Sequence, residues 1–515
     1  MSFAYKDLDE DKVFRKLLCY GLFPYSVDKI FSSKKFGEVI INNINDNHLG
    51  VKNNVKFSLL PYKLTRNDNA PRYMSIPHPL AYLDLCRSIK QNWNKIDESI
   101  GKDNNKYIET SMIIPKPDNK NKRLISIELY DKNIEEEYLF LDKQLRAKYF
   151  VYADISKCFP SIYSHSIPWA LVGKGTAKDH MNDNTKWYNE LDKKLRSMKN
   201  NETNGIPIGP DTSNIFVEIV LSQIDRVLLK KKYTYLRFVD DYKCYCKTEK
   251  EAQNFIKDLS SQLEKYQLEL NTTKTKIERL PKVITDNWVR QLRNFNFPKD
   301  NKITFKKIQD FLDLSVELSK EKGDYSPFKY AVKSLKTKKF SSYLDYKKTI
   351  LYISSIVYIH PYIIDIFDDL IGKAIDAFKR DKNDFLELIK NFLSELLPEH
   401  IGFRRSDIVV WVLFLAIKYK TEIKDFEKLS DDILEMDDPL PSLLAFLYAK
   451  SNAIDTKEYF DKLKNVDQKQ YWLYIYELYR LNDIQVNMTL SSLEYKSFYD
   501  WLKTNNITFL SGVFK

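Results

Sequence analysis

Asp154 ends the apolar run Tyr152-Ala153-Asp154-Ile155-Ser156-Lys157-Cys158-Phe159-Pro160, and Asp240 and Asp241 stand side by side in Arg237-Phe238-Val239-Asp240-Asp241-Tyr242. Carboxylates from two strand ends can meet in space and hold a pair of magnesium ions. Such a pair clamps the attacking and leaving oxygens of a phosphoryl transfer. In that chemistry Asp154 and Asp240 are the expected metal ligands, and the backbone carbonyl of Ile155 completes one site. Asp241 is the expected supporting charge. Taken alone, an Asp-Asp pair also fits a hairpin tip with solvated charges. The flanks favour chemistry: Thr234–Val239 and Tyr242–Cys246 are rich in aromatic and β-forming residues. A tip of like charges between two strands is costly unless a cation neutralises it.

The elements that must carry these residues follow in order. After the Asp154 strand comes Gly205-Ile206-Pro207-Ile208-Gly209-Pro210-Asp211-Thr212-Ser213-Asn214, a turn leading into an apolar helical run from Ile215 to Leu229. Glycine there lets backbone approach a ligand closely, which makes Gly209 a candidate for nucleotide contact. The Asp240–Asp241 hairpin is next. A helix from Glu251 to Tyr266 follows, and then Leu268-Glu269-Leu270-Asn271-Thr272-Thr273-Lys274-Thr275-Lys276. This order resembles motifs A, B, C and D of the reverse transcriptase palm over about residues 110–280. The resemblance implies a steric role for Phe159, five positions after Asp154. A ring under the sugar would clash with a 2′-hydroxyl and select deoxynucleotides; Phe159 also fits a core position. Lys274 is expected near the leaving pyrophosphate, as a charge or an acid. Upstream, Ser111–Lys116 and Lys122–Ile127 read as two strands around a polar turn, the position of the fingers hairpin. Arg123 and Lys116 would hold the triphosphate there, although a solvated basic hairpin fits Lys116 as well.

A second set of residues narrows the likeness. Ser161-Ile162-Tyr163-Ser164-His165-Ser166-Ile167-Pro168-Trp169-Ala170-Leu171, followed by Gly173-Lys174 and Ala177-Lys178, is similar to the signature of the abortive-infection (Abi) phage-defence polymerases, the AbiK/AbiA group. The length and a long helical second half match that group. The resemblance implies a prophage-borne DNA polymerase that works on deoxynucleoside triphosphates without a template. It also implies priming from a hydroxyl of the protein, so that the single-stranded DNA product stays covalently attached. Ile208 stands where retroviral-type enzymes carry a Gln between Pro and Gly, and Val239 precedes the Asp pair where they carry Ala or Met. The lost amide removes a support for a templating base pair, which fits untemplated synthesis.

The bulk numbers set the frame. A chain of 515 residues is too long for one core. Its 82 Lys+Arg against 71 Asp+Glu, net +11, is compatible with nucleic acid but equally with a Lys-rich proteome. Five scattered Cys argue for a reducing, cytoplasmic setting, and the dispersed His show no zinc-ligand spacing. Cys244 and Cys246 share one strand face and read as packing residues. The start, Met1-Ser2-Phe3-Ala4-Tyr5-Lys6-Asp7, has no apolar signal core. The longest apolar run, Ile408 to Ile417, is too short for a bilayer and reads as a buried helix. No membrane partner is expected, and a homo-oligomer is.

The expected fold class is α+β: a reverse transcriptase-like palm and fingers over residues 1–285, then an all-α, HEAT-like domain over 286–515. Lys12–Tyr20 and Pro79–Lys95 read as helices. In the second half, Phe385, Leu388, Ile389, Phe392 and Leu396 share a helical face, as do Tyr362, Ile363, Ile366, Phe367 and Leu370. The cluster Tyr471–Tyr476 could stack bases, but fits core better. Self-priming needs a mobile hydroxyl, best placed on an N-terminal loop, and Tyr5, Tyr20 and Tyr25 are the candidates. Two rival readings stand beside this one. One is a polymerase-shaped binding module without turnover, which the complete acid set disfavours. The other is a templated reverse transcriptase of the retron or group II intron type.

Overall fold

A computed structural model describes residues 8–42, 55–66, 71–101, 123–124, 141–283, 285–298, 302–464, 466–481 and 495–514. The expected fingers hairpin around Lys116, and Tyr5, lie outside them. The chain divides into two compact units, and neither is one continuous stretch. The first takes residues 1–60, 75–282 and 494–511; the second takes 61–74, 283–493 and 512–515. The expected division at 285/286 is a single cut, whereas the structure exchanges two short segments across it. Packing explains the return of 494–511 to the first unit. Phe498 and Phe509 pack on Phe36, and Phe31 bridges Leu510. β1 (Leu60–Leu64) and β2 (Arg72–Ile76) form a two-stranded sheet.

The first unit is built on a four-stranded antiparallel sheet. Its strands are β3 (Tyr149–Asp154), β4 (Thr234–Phe238), β5 (Asp241–Cys246) and β6 (Lys276–Arg279), in the order β4-β5-β3-β6. β3 is therefore central, and its apolar sequence reflects that place: Phe150, Val151 and Ala153 are buried. Helix Glu249–Glu264 lies against β3 and β5. Its start is written in the sequence: the Thr248 hydroxyl accepts from the Glu251 N–H at 3.2 Å, and the Glu251 carboxylate reaches back to the Lys247 N–H at 2.7 Å. Its core face, Ala252, Phe255, Leu259 and Leu263, repeats every three or four residues. Helix Asp211–Lys230 packs beside it and against helix Trp93–Ile100. The run read as one helix over Pro79–Lys95 breaks at Asn92, where Pro79–Gln91 ends and Trp93–Ile100 begins.

Among its described residues the second unit is helical apart from a short parallel pair, β7 (Lys302–Ile303) with β8 (Lys339–Phe340), and its β1/β2 residues. Helices Phe305–Lys322, Ser326–Leu335, Tyr343–Ile359, Ile364–Ala377, Lys382–Gly402 and Ser406–Tyr419 follow in sequence, and several touch both their neighbour and the next helix but one. The expected apolar run lies in Ser406–Tyr419, buried against helix Pro439–Ser451. Residues 471–476 are buried throughout, so their rings serve packing. Among the described residues no helix is long and apolar enough to cross a membrane.

Candidate active site

The register of the sheet brings the three aspartates to one end of it. In the β3–β5 ladder Asp154 lies directly opposite Asp241, and directly opposed residues project to the same face. Val239 and Asp240 form the two-residue connection between β4 and β5, since Phe238 pairs with Asp241. The Ile155 N–H donates to the Asp240 carbonyl at 3.2 Å and fastens that turn to the end of β3. On the other side, the Asn271 N–H donates to the Asp154 carbonyl at 2.7 Å, and the Ser156 N–H to the Glu269 carbonyl at 2.8 Å. The segment read as motif D is thereby laid along motif A. Lys274 uses this placement: its Nζ donates to Asp154 Oδ2 at 2.9 Å while 58% of its side chain stays exposed.

The electrostatics of this end are strained in one direction. Burial, and then the charges of Asp241 and Asp154, push Asp240 up to about 6. Burial raises Asp241 as well, and Asp154 beside it adds to the effect. The Tyr152 hydroxyl, which donates to Asp241 Oδ1 at 2.6 Å, opposes the rise. Like charges gathered where water is partly excluded fit a divalent cation. Among the described residues no group of three His, Cys, Asp or Glu side chains is already arranged around a metal position. In this arrangement Asp154 turns to Lys274 and Asp241 to Tyr152.

The turn after motif A uses its glycines for packing. Gly209 has φ +137°, and a Cβ there would stand 2.6 Å from the Ser75 carbonyl oxygen and 3.0 Å from Pro24. The close approach expected toward a nucleotide is made instead to the chain itself, with the Ser75 N–H donating to the Ile208 carbonyl at 2.8 Å. Phe159 sits in the short helix Cys158–Ser161, half-exposed, its carbonyl accepting from the Ile206 N–H at 2.8 Å. Motifs A and B are thus joined through Phe159.

Arg123 is engaged by the protein itself. Its Nε and Nη2 fork onto Asp211 at 3.2 and 2.5 Å, and Nη2 also donates to the Phe23 carbonyl at 3.0 Å. A guanidinium held in a bidentate, largely buried pair anchors the start of helix Asp211–Lys230, with its Nε and Nη2 donors committed there. Of the candidate tyrosines, Tyr20 is half-buried at the end of helix Glu10–Tyr20. Tyr25 is 73% exposed. Its segment lies on the motif B turn: Gly21 accepts from the Asp211 N–H at 2.8 Å, Phe23 accepts from Arg123, and Pro24 faces Gly209.

Sequence reading missed Arg237, Glu218 and Asp225. Arg237 was visible only as part of a motif string. Its signal was a cation inside a strand otherwise apolar, together with two acids seven residues apart in the apolar run Ile215–Leu229.

Residues 102–330 match the family described as reverse transcriptase (RNA-dependent DNA polymerase), a stretch that includes all three aspartates, Gly209 and Lys274. Within that stretch the chain carries a reverse transcriptase domain. No curated protein matches it. Similar solved structures include apo telomerase from Candida tropicalis truncated from its C-terminal domain, with TM-score 0.29, 16% identity, and coverage of 50% of this chain and 57% of that one. Apo telomerase from Candida tropicalis has TM-score 0.34 and 11% identity over 96% of this chain and 78% of that one. Telomerase from Candida tropicalis in complex with a TWJ fragment of telomeric RNA has TM-score 0.29 and 12% identity over 85% of this chain and 68% of that one. The chain spans 57% of the length of the first of these.

Proposed function

We propose that the chain is a DNA polymerase of the abortive-infection kind. It extends DNA from deoxynucleoside triphosphates on a hydroxyl of its own, without a template, and serves phage defence in the cytoplasm as a homo-oligomer. The observation that carries the polymerase reading is the convergence of Asp154, Asp240 and Asp241 at one end of β3 and β5, tied together by the Ile155 N–H. Asp154 and Asp240 would hold two magnesium ions, with the Ile155 carbonyl in one site and Asp241 in support. Bound there, the ions would stabilise the charge of the attacking and leaving oxygens. Lys274, here paired with Asp154, would serve the leaving pyrophosphate as a charge or an acid. Phe159 excludes the 2′-hydroxyl, and Arg123 keeps the motif B turn in place.

The Abi-like signature at 161–178 and Ile208 support the self-primed, untemplated form. Tyr25 is the favoured primer among the three candidates, because it is exposed and its segment rests on the turn beside the helix Asp211–Lys230. The second unit is read as HEAT-like, on helices that touch their neighbours in succession. The test is incubation of the purified chain with magnesium and deoxynucleoside triphosphates alone, followed by a denaturing gel. A ladder of slower protein bands, removed by nuclease and mapped to Tyr25 by peptide mass, is expected. Free DNA with no adduct would refute self-priming, and synthesis only with added RNA would favour the templated enzyme. A nucleotide on another residue would move the primer.

A further inference from the structure

The Asp240 turn is not held by its own sequence. Val239 is β-branched yet adopts φ +49°, the left-handed region that such residues avoid. Something outside the turn must select that conformation. The Val239 carbonyl accepts from Arg237 Nη1 at 2.8 Å. Arg237 is 0% exposed, and its remaining donors go to two carboxylates of helix Asp211–Lys230. Nη1 donates to Glu218 Oε1 at 2.8 Å and Nη2 to Glu218 Oε2 at 3.0 Å. Nε donates to Asp225 Oδ2 at 2.8 Å, and Nη2 lies 2.7 Å from the same oxygen. Asp225 is fixed in turn by the Tyr235 hydroxyl at 2.9 Å, and the guanidinium carbon stands 5.9 Å from the Tyr242 ring centroid. Every N–H of the guanidinium is used. The fork is locked to the helix on one side and to the turn on the other.

We infer that Arg237 is a positioning residue for the reaction: it transmits the place of the helix Asp211–Lys230 to the Val239 carbonyl and so fixes where Asp240 presents its carboxylate to metal. This deepens the proposed function and rests on Asp240 being a metal ligand. Lysine cannot replace it, because a single ammonium reaches at most three acceptors and has no planar fork.

The experiment uses the full chain. Manganese serves as the probe, its free concentration read by electron paramagnetic resonance beside magnesium-dependent synthesis. Arg237→Lys keeps the charge, and it is expected to weaken manganese binding and raise the magnesium requirement about 10–100-fold, the range for residues that orient a metal ligand. Adding Val239→Gly, which reaches positive φ without help, is expected to recover most of that loss. A purely structural Arg237 predicts the opposite, since glycine would loosen the turn further. Should Arg237→Lys fail to fold, Glu218→Gln weakens the fork while keeping its shape, and is expected to shift manganese affinity in the same direction. Unchanged metal affinity in a folded variant, or no recovery on adding glycine, overturns the role of Arg237. Failure of the parent chain to bind manganese or synthesise DNA would instead overturn the proposed function.

Discussion

Glu218 and Asp225 on one side of the β4–β5 hairpin, and Asp154, Asp240 and Asp241 on the other, are two groups of acids treated in opposite ways. The first group is buried, and it meets a guanidinium whose every donor is spent nearby. In the second, Asp154 is buried while Asp240 and Asp241 are half-exposed, and the group meets one exposed lysine and one tyrosine hydroxyl. Burial alone does not separate a structural acid from a chemical one. What separates them is how completely the charge is balanced by the protein itself. A compensated group holds shape, whereas an under-compensated one stores an affinity for something that is not protein.

The sharpest break of this comparison is to remove one charge from each group. Asp154→Asn or Asp240→Asn should cut synthesis by about 10²–10³-fold or more, as for loss of a stabiliser of developing charge. The same changes should leave the thermal midpoint unchanged or slightly higher, since repulsion is relieved. Asp225→Ala should do the reverse to stability. It leaves part of the Arg237 charge buried without its partner, at a cost of about 3–5 kcal/mol, read by denaturant unfolding. If both kinds of variant lose stability alike, the distinction fails.

Lys274→Ala should slow the chemical step about 10²-fold, the low end for a positioned acid, in single-turnover measurements. The nucleotide concentration for half-maximal rate should barely move, and a change confined to that concentration would make Lys274 a binding residue. The pH dependence sharpens the comparison further. Asp240 ionises near 6 in the fold and near 3.9 in an unfolded chain, so between those values the folded state holds the extra proton. Stability therefore rises as pH falls through that window, and the penalty is complete above about 6. A divalent ion favours the ionised form, so the rise in thermal midpoint on adding magnesium should grow between about pH 5 and 7. Asp240→Asn should flatten both trends. The smallest effect expected is at Phe159, where Phe159→Ala should lower discrimination against ribonucleotides by about tenfold or more in competition assays.

The acids of the second group were legible in the sequence because each ends or joins a short apolar strand, and strand alternation fixes where such ends point. Their order along the chain was legible for the same reason. The first group was not, because a single Arg in a strand looks like a solvated charge until its partners are known. Glu218 and Asp225 looked like polar interruptions of an apolar helix. The Arg123 pair was not legible either: its partner Asp211 lies far along the chain, and no local pattern announces it. Gly209 was recognised as a residue needing close approach, but the approaching group, Ser75, belongs to another segment. The buried Tyr471–Tyr476 cluster was legible, since rings in an unbroken apolar run are usually core.

The return of residues 495–511 to the first unit has a consequence for how the molecule comes into being. Phe31 and Phe36 leave the ribosome long before Phe498, Phe509 and Leu510, which emerge only after the helices between Phe305 and Arg480. The Ser32 N–H waits for the Phe509 carbonyl at 2.7 Å, and the Ser511 N–H for the Ile30 carbonyl at 2.9 Å. A nascent chain can carry Asp154, Asp240 and Asp241 while the residues that pack on Phe31 and Phe36 are still missing. The first unit is thus closed by residues that follow the second in the chain, and a ribosome stalled short of residue 498 leaves that unit spelled out in part but not assembled.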